Sequence, residues 1–244
     1  MAELEVESYN KLREEPGIYD CDICGNKEMY AFLDDNGECK YALCKCKETR
    51  KTLKRIKNSG LEKLIENRTF DKYNATEKWQ QAIRDKAKEF VEDNQQQWFF
   101  IGGQVGSGKT FICTSIIAEF IKQGRQAMYM VWCDDIIGLK ATSNSNYDSY
   151  EKRMNELKKA QILYIDDFFR NEDNETPTQA DIKLAYNLIN YRYNNPELIT
   201  IISSQFMLSD ILRFSEAIGS RINEKTKNYQ INLPPDIKKN YRLR

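Results

Sequence analysis

At 244 residues the chain has room for one full-sized domain plus a small module, and burying a core is no difficulty at that size. Lys plus Arg and Asp plus Glu each count 37, so attraction to nucleic acid must come from local patches and not from net charge. Histidine is absent, which excludes Ser–His and Cys–His nucleophile pairs, histidine metal ligands and histidine proton relays.

The opening residues, MAELEVESYN, are acidic and lack a signal-peptide core, and no apolar run approaches the length of a bilayer span. The expectation is a cytoplasmic protein with no membrane contact, whose seven cysteines are reduced or hold metal. Cys21 and Cys24 form a C-D-I-C pair; after nineteen intervening residues, Cys44 and Cys46 form a C-K-C pair. Gly25 and Gly37 stand where turns are wanted. Four thiolates in two close pairs suit tetrahedral zinc, with Cys39 as a substitute ligand. An iron–sulfur cluster would use the same ligands. The stretch between the pairs is short and polar, so metal would supply much of its stability.

A basic, helical connector follows, KETRKTLKRIKNSG, carrying Lys47, Arg50, Lys51, Lys54, Arg55 and Lys57. It reads either as a contact for phosphates or an acidic partner, or as a solvated helix face. The segment LEKLIENRTFDKYN leads to a helix from about Glu77 to Asn94, with Trp79, Ile83, Ala87 and Phe90 on one face. From there strand and helix alternate. QWFFIGG, AMYMVW, QILYIDD, LITIISSQ and YQINL read as strands, with a helix between each and the next and a polar loop, ATSNSNYDS, near Thr142. LSDILRFSEAIGSRINEK reads as one helix. Short, almost wholly apolar strands separated by helices predict an α/β fold, a mostly parallel sheet covered on both faces. Cys113 and Cys133 fall on a helix and a strand of this region and read as packing residues.

The string GGQVGSGKT fits G-x-x-x-x-G-K-[ST] with Gly103, Gly108, Lys109 and Thr110, between a predicted strand and a predicted helix. Glycines let backbone N–H groups approach phosphate oxygens, and the helix N-terminus adds partial positive charge. The expected nucleotide-binding stretch is Gly103, Gln104, Val105, Gly106, Ser107, Gly108, Lys109, Thr110 and Phe111. Within it, Lys109 reaches the β- and γ-phosphates and Thr110 ligates Mg²⁺. A second acid for the metal is expected at Asp166, where the apolar run ILYI ends, with Asp167 as the water-activating carboxylate. TIISSQ ends in polar residues that would bring Ser204 and Gln205 to the γ-phosphate side. Arg221, on the helix after that strand, has the place of a cation offered to a neighbouring subunit's nucleotide.

The order CxxC, CKC, KNSGLEK, NRTFDKYN, GGQVGSGKT, ILYIDD, TIISSQ, GSRI and KKNYRLR resembles the DnaC/DnaI-type replicative helicase loaders of the AAA+ class, over nearly the full length. The likeness is strongest to phage-encoded forms with an N-terminal cysteine module. The resemblance implies a zinc-binding, helicase-interacting module over 1–48, a basic connector over 49–68 and an AAA+ ATPase domain over 69–244. It also implies ATP or ADP, Mg²⁺ and Zn²⁺ as ligands, and as partners a DnaB-type helicase, single-stranded DNA and further copies of the chain. It makes Gln205 sensor 1 and Arg221 the arginine finger, and a resemblance to initiator-type AAA+ proteins directs single-stranded DNA to the region after AMYMVW, around Lys140. The chain departs from the AAA+ pattern at Asp167, where Glu is usual, which predicts slow hydrolysis. The tail is also too short for a helical lid, so a sensor 2 role for Arg242 lacks its usual frame. Two other readings share these motifs: a protein that binds and blocks a host helicase or loader, and a transposition helper ATPase.

Overall fold

Near-continuous apolar side chains along the central strands decide the architecture, because each strand must bury both its faces. The computed structural model describes residues 2–15, 20–47, 50, 67–93, 97–170 and 176–243. Lys51, Lys54, Arg55 and Lys57 of the basic connector lie outside them. Near the N-terminus, helix α1 (Ala2–Lys11) packs on an antiparallel hairpin of β1 (Met29–Leu33) and β2 (Cys39–Leu43). The Asn10 amide stands in for a third strand there, donating to the Ala31 carbonyl at 2.9 Å and accepting from its N–H at 3.0 Å.

The central sheet has the order β4-β5-β6-β3-β7, every pair parallel. Its strands are β3 (Phe99–Gly103), β4 (Ala127–Val131), β5 (Ile162–Phe168), β6 (Ile199–Ser204) and β7 (Gln230–Leu233). Phe99, Ile101, Ile162, Tyr164 and Ile201 face α2 (Lys78–Asp93) and α3 (Lys109–Lys122) in one core. Their neighbours Phe100, Leu163, Ile165 and Ile202 face a second core. That core is built with α4 (Trp132–Ser145), α5 (Tyr147–Lys159), α6 (Gln179–Tyr193), α7 (Leu208–Phe214) and α8 (Glu216–Lys225). The sheet is thus covered on both faces, as the strand pattern requires. No helix among the described residues is long and apolar enough to cross a membrane.

Three expectations about elements need correction. The polar ATSNSNYDS stretch is not a loop: α4 runs to Ser145 and α5 begins at Tyr147, with only Asn146 between them. Hydroxyls of Thr142, Ser143 and Ser145 bond back to carbonyls one turn earlier, and the Asn146 side chain caps α5 by accepting from the Ser149 N–H at 3.1 Å. Because α4 starts at Trp132, Cys133 is helical and not in a strand. The last long helix is also two, broken at Ser215, whose extended backbone (φ −158°) and N-capping hydroxyl start α8 anew.

Candidate functional site

The loop between β3 and α3 is shaped by three glycines with left-handed backbones, Gly103, Gly106 and Gly108. Gly103 (φ +101°) lies so close to β7 that a Cβ there would collide with the Leu233 carbonyl, and Gly108 (φ +86°) turns the loop into α3. Lys109, the first residue of α3, is buried and folds back so that its ammonium donates to the Gly103 and Gln104 carbonyls at 2.8 and 2.6 Å. Burial pushes its pKa down to about 8 against the opposing pull of Asp167, Cys113 and Asp166. A cation so placed gains more from an arriving polyanion than one already in water.

Asp166 ends the apolar run of β5, two strands from β3 across β6, and its carboxylate is enclosed by donors. It accepts from Thr110 Oγ1 at 3.1 Å, Tyr164 Oη at 2.7 Å, Tyr129 Oη at 2.8 Å, the Asp167 N–H at 3.1 Å and the Ser203 hydroxyl. Burial, then the Asp166 charge, pushes both tyrosine phenols far up, so they stay neutral donors. The hydroxyl–carboxylate pair of Thr110 and Asp166 offers hard oxygens of the kind Mg²⁺ takes, so these residues fit that ion.

Beyond Asp166 the strand bulges. The register between β5 and β6 shifts between Ile165 and Phe168, and Asp167 (φ +52°) and Phe169 (φ +67°) both adopt left-handed backbones. For a phenylalanine that is a true outlier costing about 1 kcal/mol or more. Burial of Phe169 in a stack on Phe168, with ring centroids 4.1 Å apart, and against Trp132 holds it there. The bulge turns the Asp167 carboxylate into a cavity of about 390 Å³, where it pairs with Arg170 at 2.7 Å.

Three stretches wall that cavity. One is the loop from Val105 to Phe111; the second is Asp167, Arg170 and Gln205 at strand ends; the third brings Arg68, Lys72, Tyr73 and Asn74 from before α2 together with Tyr241 and Arg242 from the tail. Five cations (Arg68, Lys72, Lys109, Arg170 and Arg242) thus face one carboxylate in a chain of zero net charge. The cavity suits a compact polyanion.

Of the residues singled out from sequence, Val105 to Phe111, Asp167, Gln205 and Arg242 line the cavity, while Asp166 is linked to it through Thr110. Ser204 does not reach it: its buried hydroxyl donates to the Phe168 carbonyl at 2.7 Å. Arg221 lies elsewhere, its guanidinium over the rings of Tyr186 and Tyr193 and bonded to Asn190 at 3.1 Å. Lys140 is held by Asp181 at 2.6 Å. Sequence reasoning missed Arg68, Lys72, Tyr73, Arg170 and Tyr241 as cavity residues, although NRTFDKYN and KKNYRLR carried the resemblance. It also missed Tyr129, Tyr164 and Ser203 around Asp166.

The cysteines form a second centre. Sγ atoms of Cys21, Cys24, Cys44 and Cys46, all buried, lie within 4.8 Å of one another, with Cys21–Cys44 at 3.6 Å and Cys24–Cys46 at 3.4 Å. A tetrahedron with Zn–S bonds near 2.3 Å has edges of about 3.8 Å, so the set fits zinc. Each pair sits on a turn whose N–H groups bond back to cysteine carbonyls: Gly25 to Cys21 at 3.0 Å and Lys47 to Cys44 at 3.0 Å. The Asn26 side chain locks the first turn, accepting from the Cys21 N–H at 2.8 Å. Cys39, on β2, is outside the cluster.

Comparison with known proteins agrees with this arrangement. The Novel STAND NTPase 3 (nSTAND3) family matches residues 79–243, more than half of the chain. Among sequences, Bacillus subtilis YqaM, an uncharacterized protein, and XkdC, of the phage-like element PBSX, are each 29% identical, over 82% and 87% of this chain. The replicative helicase loader DnaC of Escherichia coli is 25% identical over 58% of the chain. The matched regions span 66% of YqaM, 82% of XkdC and 59% of DnaC. The crystal structure of a DnaC helicase loader, 20% identical, superposes on 70% of this chain and 97% of its own with a TM-score of 0.56, which makes the fold that of the AAA+ P-loop proteins. A mostly parallel five-stranded sheet with a glycine loop at the end of β3, matched over most of its length by one family, leads to one conclusion: the chain belongs to the nSTAND3 family of NTPases and is homologous to the DnaC helicase loaders.

Proposed function

We propose that the protein is an ATP-dependent loader that binds a DnaB-type hexameric helicase and assists its placement on single-stranded DNA in the bacterial cytoplasm. The observation that carries the reading is the basic cavity around the loop Val105–Phe111, together with the Thr110–Asp166 pair at 3.1 Å. In this reading Gly103 to Phe111 cradle the phosphates of ATP and Lys109 pairs with the β- and γ-phosphates. Thr110 and Asp166 hold Mg²⁺, which when bound neutralises phosphate charge. Asp167 orients the attacking water, Gln205 reads the γ-phosphate, and Arg221 serves the nucleotide of a neighbouring copy. Cys21, Cys24, Cys44 and Cys46 hold zinc and thereby fold a module over 1–48 that meets the helicase, with 49–68 as connector and 69–244 as ATPase domain.

A second reading has one observation in its favour. Asp167 is one methylene shorter than the usual Glu and is engaged by Arg170 at 2.7 Å, which suits slow hydrolysis with ATP acting as an assembly switch for a protein that blocks a helicase or its loader. Unwinding of a forked DNA by the helicase, with this protein added, separates the two. A loader stimulates unwinding in an ATP-dependent way, and Lys109→Ala abolishes both the stimulation and ATP turnover. Persistent inhibition that ignores ATP would count against loading, and undiminished turnover by the lysine variant would remove the nucleotide assignment.

A further inference from the structure

Phosphate binding alone does not account for the whole cavity wall, which also contains the last turn of the chain and the ring and hydroxyl of Tyr73. After β7 the chain returns across the loop. The Asp236 N–H donates to the Gln104 side chain at 2.6 Å, the Tyr241 N–H to the Gly106 carbonyl at 2.9 Å, and the Tyr241 hydroxyl to the Asn74 carbonyl at 3.0 Å. One short turn therefore ties the phosphate loop to the segment before α2.

Two tyrosine rings converge where it does so. A Cβ built on Gly108 would lie 3.3 Å from Tyr73 Cε2 and 3.5 Å from Tyr241 Cε2, so both rings sit directly over that glycine. Phe111 extends the same aromatic wall, its ring 5.5 Å from that of Tyr73. The cavity is thus divided by chemistry. Thr110 turns to Asp166, on the side of the strand-end acids, whereas Gly108 and Phe111 turn to the tyrosines. A nucleotide whose terminal phosphate lies toward the acids must extend its nucleoside the other way, along aromatic rings.

Tyr73 supplies an independent sign of a missing partner. The side chain is 6% exposed, and its buried hydroxyl has the Tyr241 phenol beside it but closes no hydrogen bond of ordinary length. A buried hydroxyl is costly when unbonded and is nearly always satisfied in a native structure. This one lines the cavity beside the loop, where a ligand can satisfy it.

We infer that the last turn of the chain is the nucleoside-binding wall of the site, with Tyr73 and Tyr241 holding the base-and-ribose half of the nucleotide and the Tyr73 hydroxyl bonding to it. The inference rests on the nucleotide reading, so its test uses two probes that differ only in the nucleoside: ADP and inorganic pyrophosphate, each titrated calorimetrically with Mg²⁺ into the full chain. Tyr241→Ala is expected to weaken ADP about tenfold, the worth of one aromatic contact, and to leave pyrophosphate unchanged. Tyr73→Phe, which keeps the ring and the packing, is expected to weaken ADP about fivefold and pyrophosphate not at all. Lys109→Ala should weaken both probes. Equal losses of the two probes in the tyrosine variants, or no loss of either, would overturn the inference while leaving the phosphate site standing. A wild-type chain that binds neither probe would instead remove the nucleotide reading itself.

Discussion

Asp166 accepts from four hydroxyls and one amide, which leaves its carboxylate no freedom to swing and fixes it beside Thr110. Asp167 is its opposite: one residue further on, held by a single exposed arginine, and set on a strained backbone that points it into the cavity. The first arrangement suits a fixed metal ligand and the second a group that must meet water. Asp167→Asn is therefore expected to lower ATP turnover about 100-fold while leaving ADP affinity within about twofold, since only the proton-accepting step is touched. Steady-state hydrolysis beside calorimetric ADP titration checks this; turnover that survives the change would move the base elsewhere. Both acids could be read from ILYIDD, because an apolar run ending in carboxylates after a glycine loop has few other uses. Tyr129, Tyr164 and Ser203 could not be read. In their strands they show only as buried positions, and their hydroxyls converge because β4, β5 and β6 lie side by side.

At the scale of elements, one buried arginine acts as a helix cap. Arg192 of α6 is fully buried and donates to the carbonyls of Leu157, Lys158 and Ala160 at the end of α5, and to the Thr200 hydroxyl of β6 at 2.8 Å. It thereby satisfies helix-end acceptors that would otherwise be orphaned in a dry core. Arg192→Met keeps the apolar stem and removes the donors, and it should cost about 3 kcal/mol in urea unfolding. A loss under about 1 kcal/mol would mean that water replaces the guanidinium. The cysteine module poses the same question with a metal in place of a core. Its hairpin leaves Phe32, Tyr41 and Leu43 exposed, and the four thiols are its only compact buried cluster among the described residues. Protein purified under reducing, chelator-free conditions is expected to carry about one zinc, and Cys44→Ser to lose it together with the module's structure. Iron with visible absorbance would point to a cluster instead, and absence of both metals would remove the site.

Among the described residues, the cations assigned to phosphate in the proposed reading stand in two places. Five converge in the cavity, whereas Arg221 sits on α8 between the rings of Tyr186 and Tyr193, away from its own chain's loop. In the proposed reading such a cation acts on phosphate in another copy. Arg221→Ala is expected to lose ATP turnover and keep ATP binding, and mixing it with Lys109→Ala should restore part of the turnover, because one of the two kinds of mixed contact then joins an intact loop to an intact arginine. Binding and turnover that fall together, or mixtures that stay inactive, would exclude the shared site.

The glycine loop, the strand-end acids, the cysteine pairs and the two-sided sheet were all legible in the sequence, since each depends on residue type and spacing along a single element. Helix boundaries in polar text were not, because Thr142, Ser143 and Asn146 serve a helix or a loop equally well until hydroxyls find carbonyls one turn back. Nor could sequence bring residues 68–74 and 241–242 to the loop at residues 105–111. These stretches stand more than thirty residues apart along the chain: β7 pairs beside β3 and carries the tail back over the phosphate loop, while residues 68–74 are held against α3, where the Ser115 hydroxyl donates to the Arg68 carbonyl at 3.1 Å. Local chemistry is written in order along the chain; the walls of the cavity come from the order of strands across the sheet.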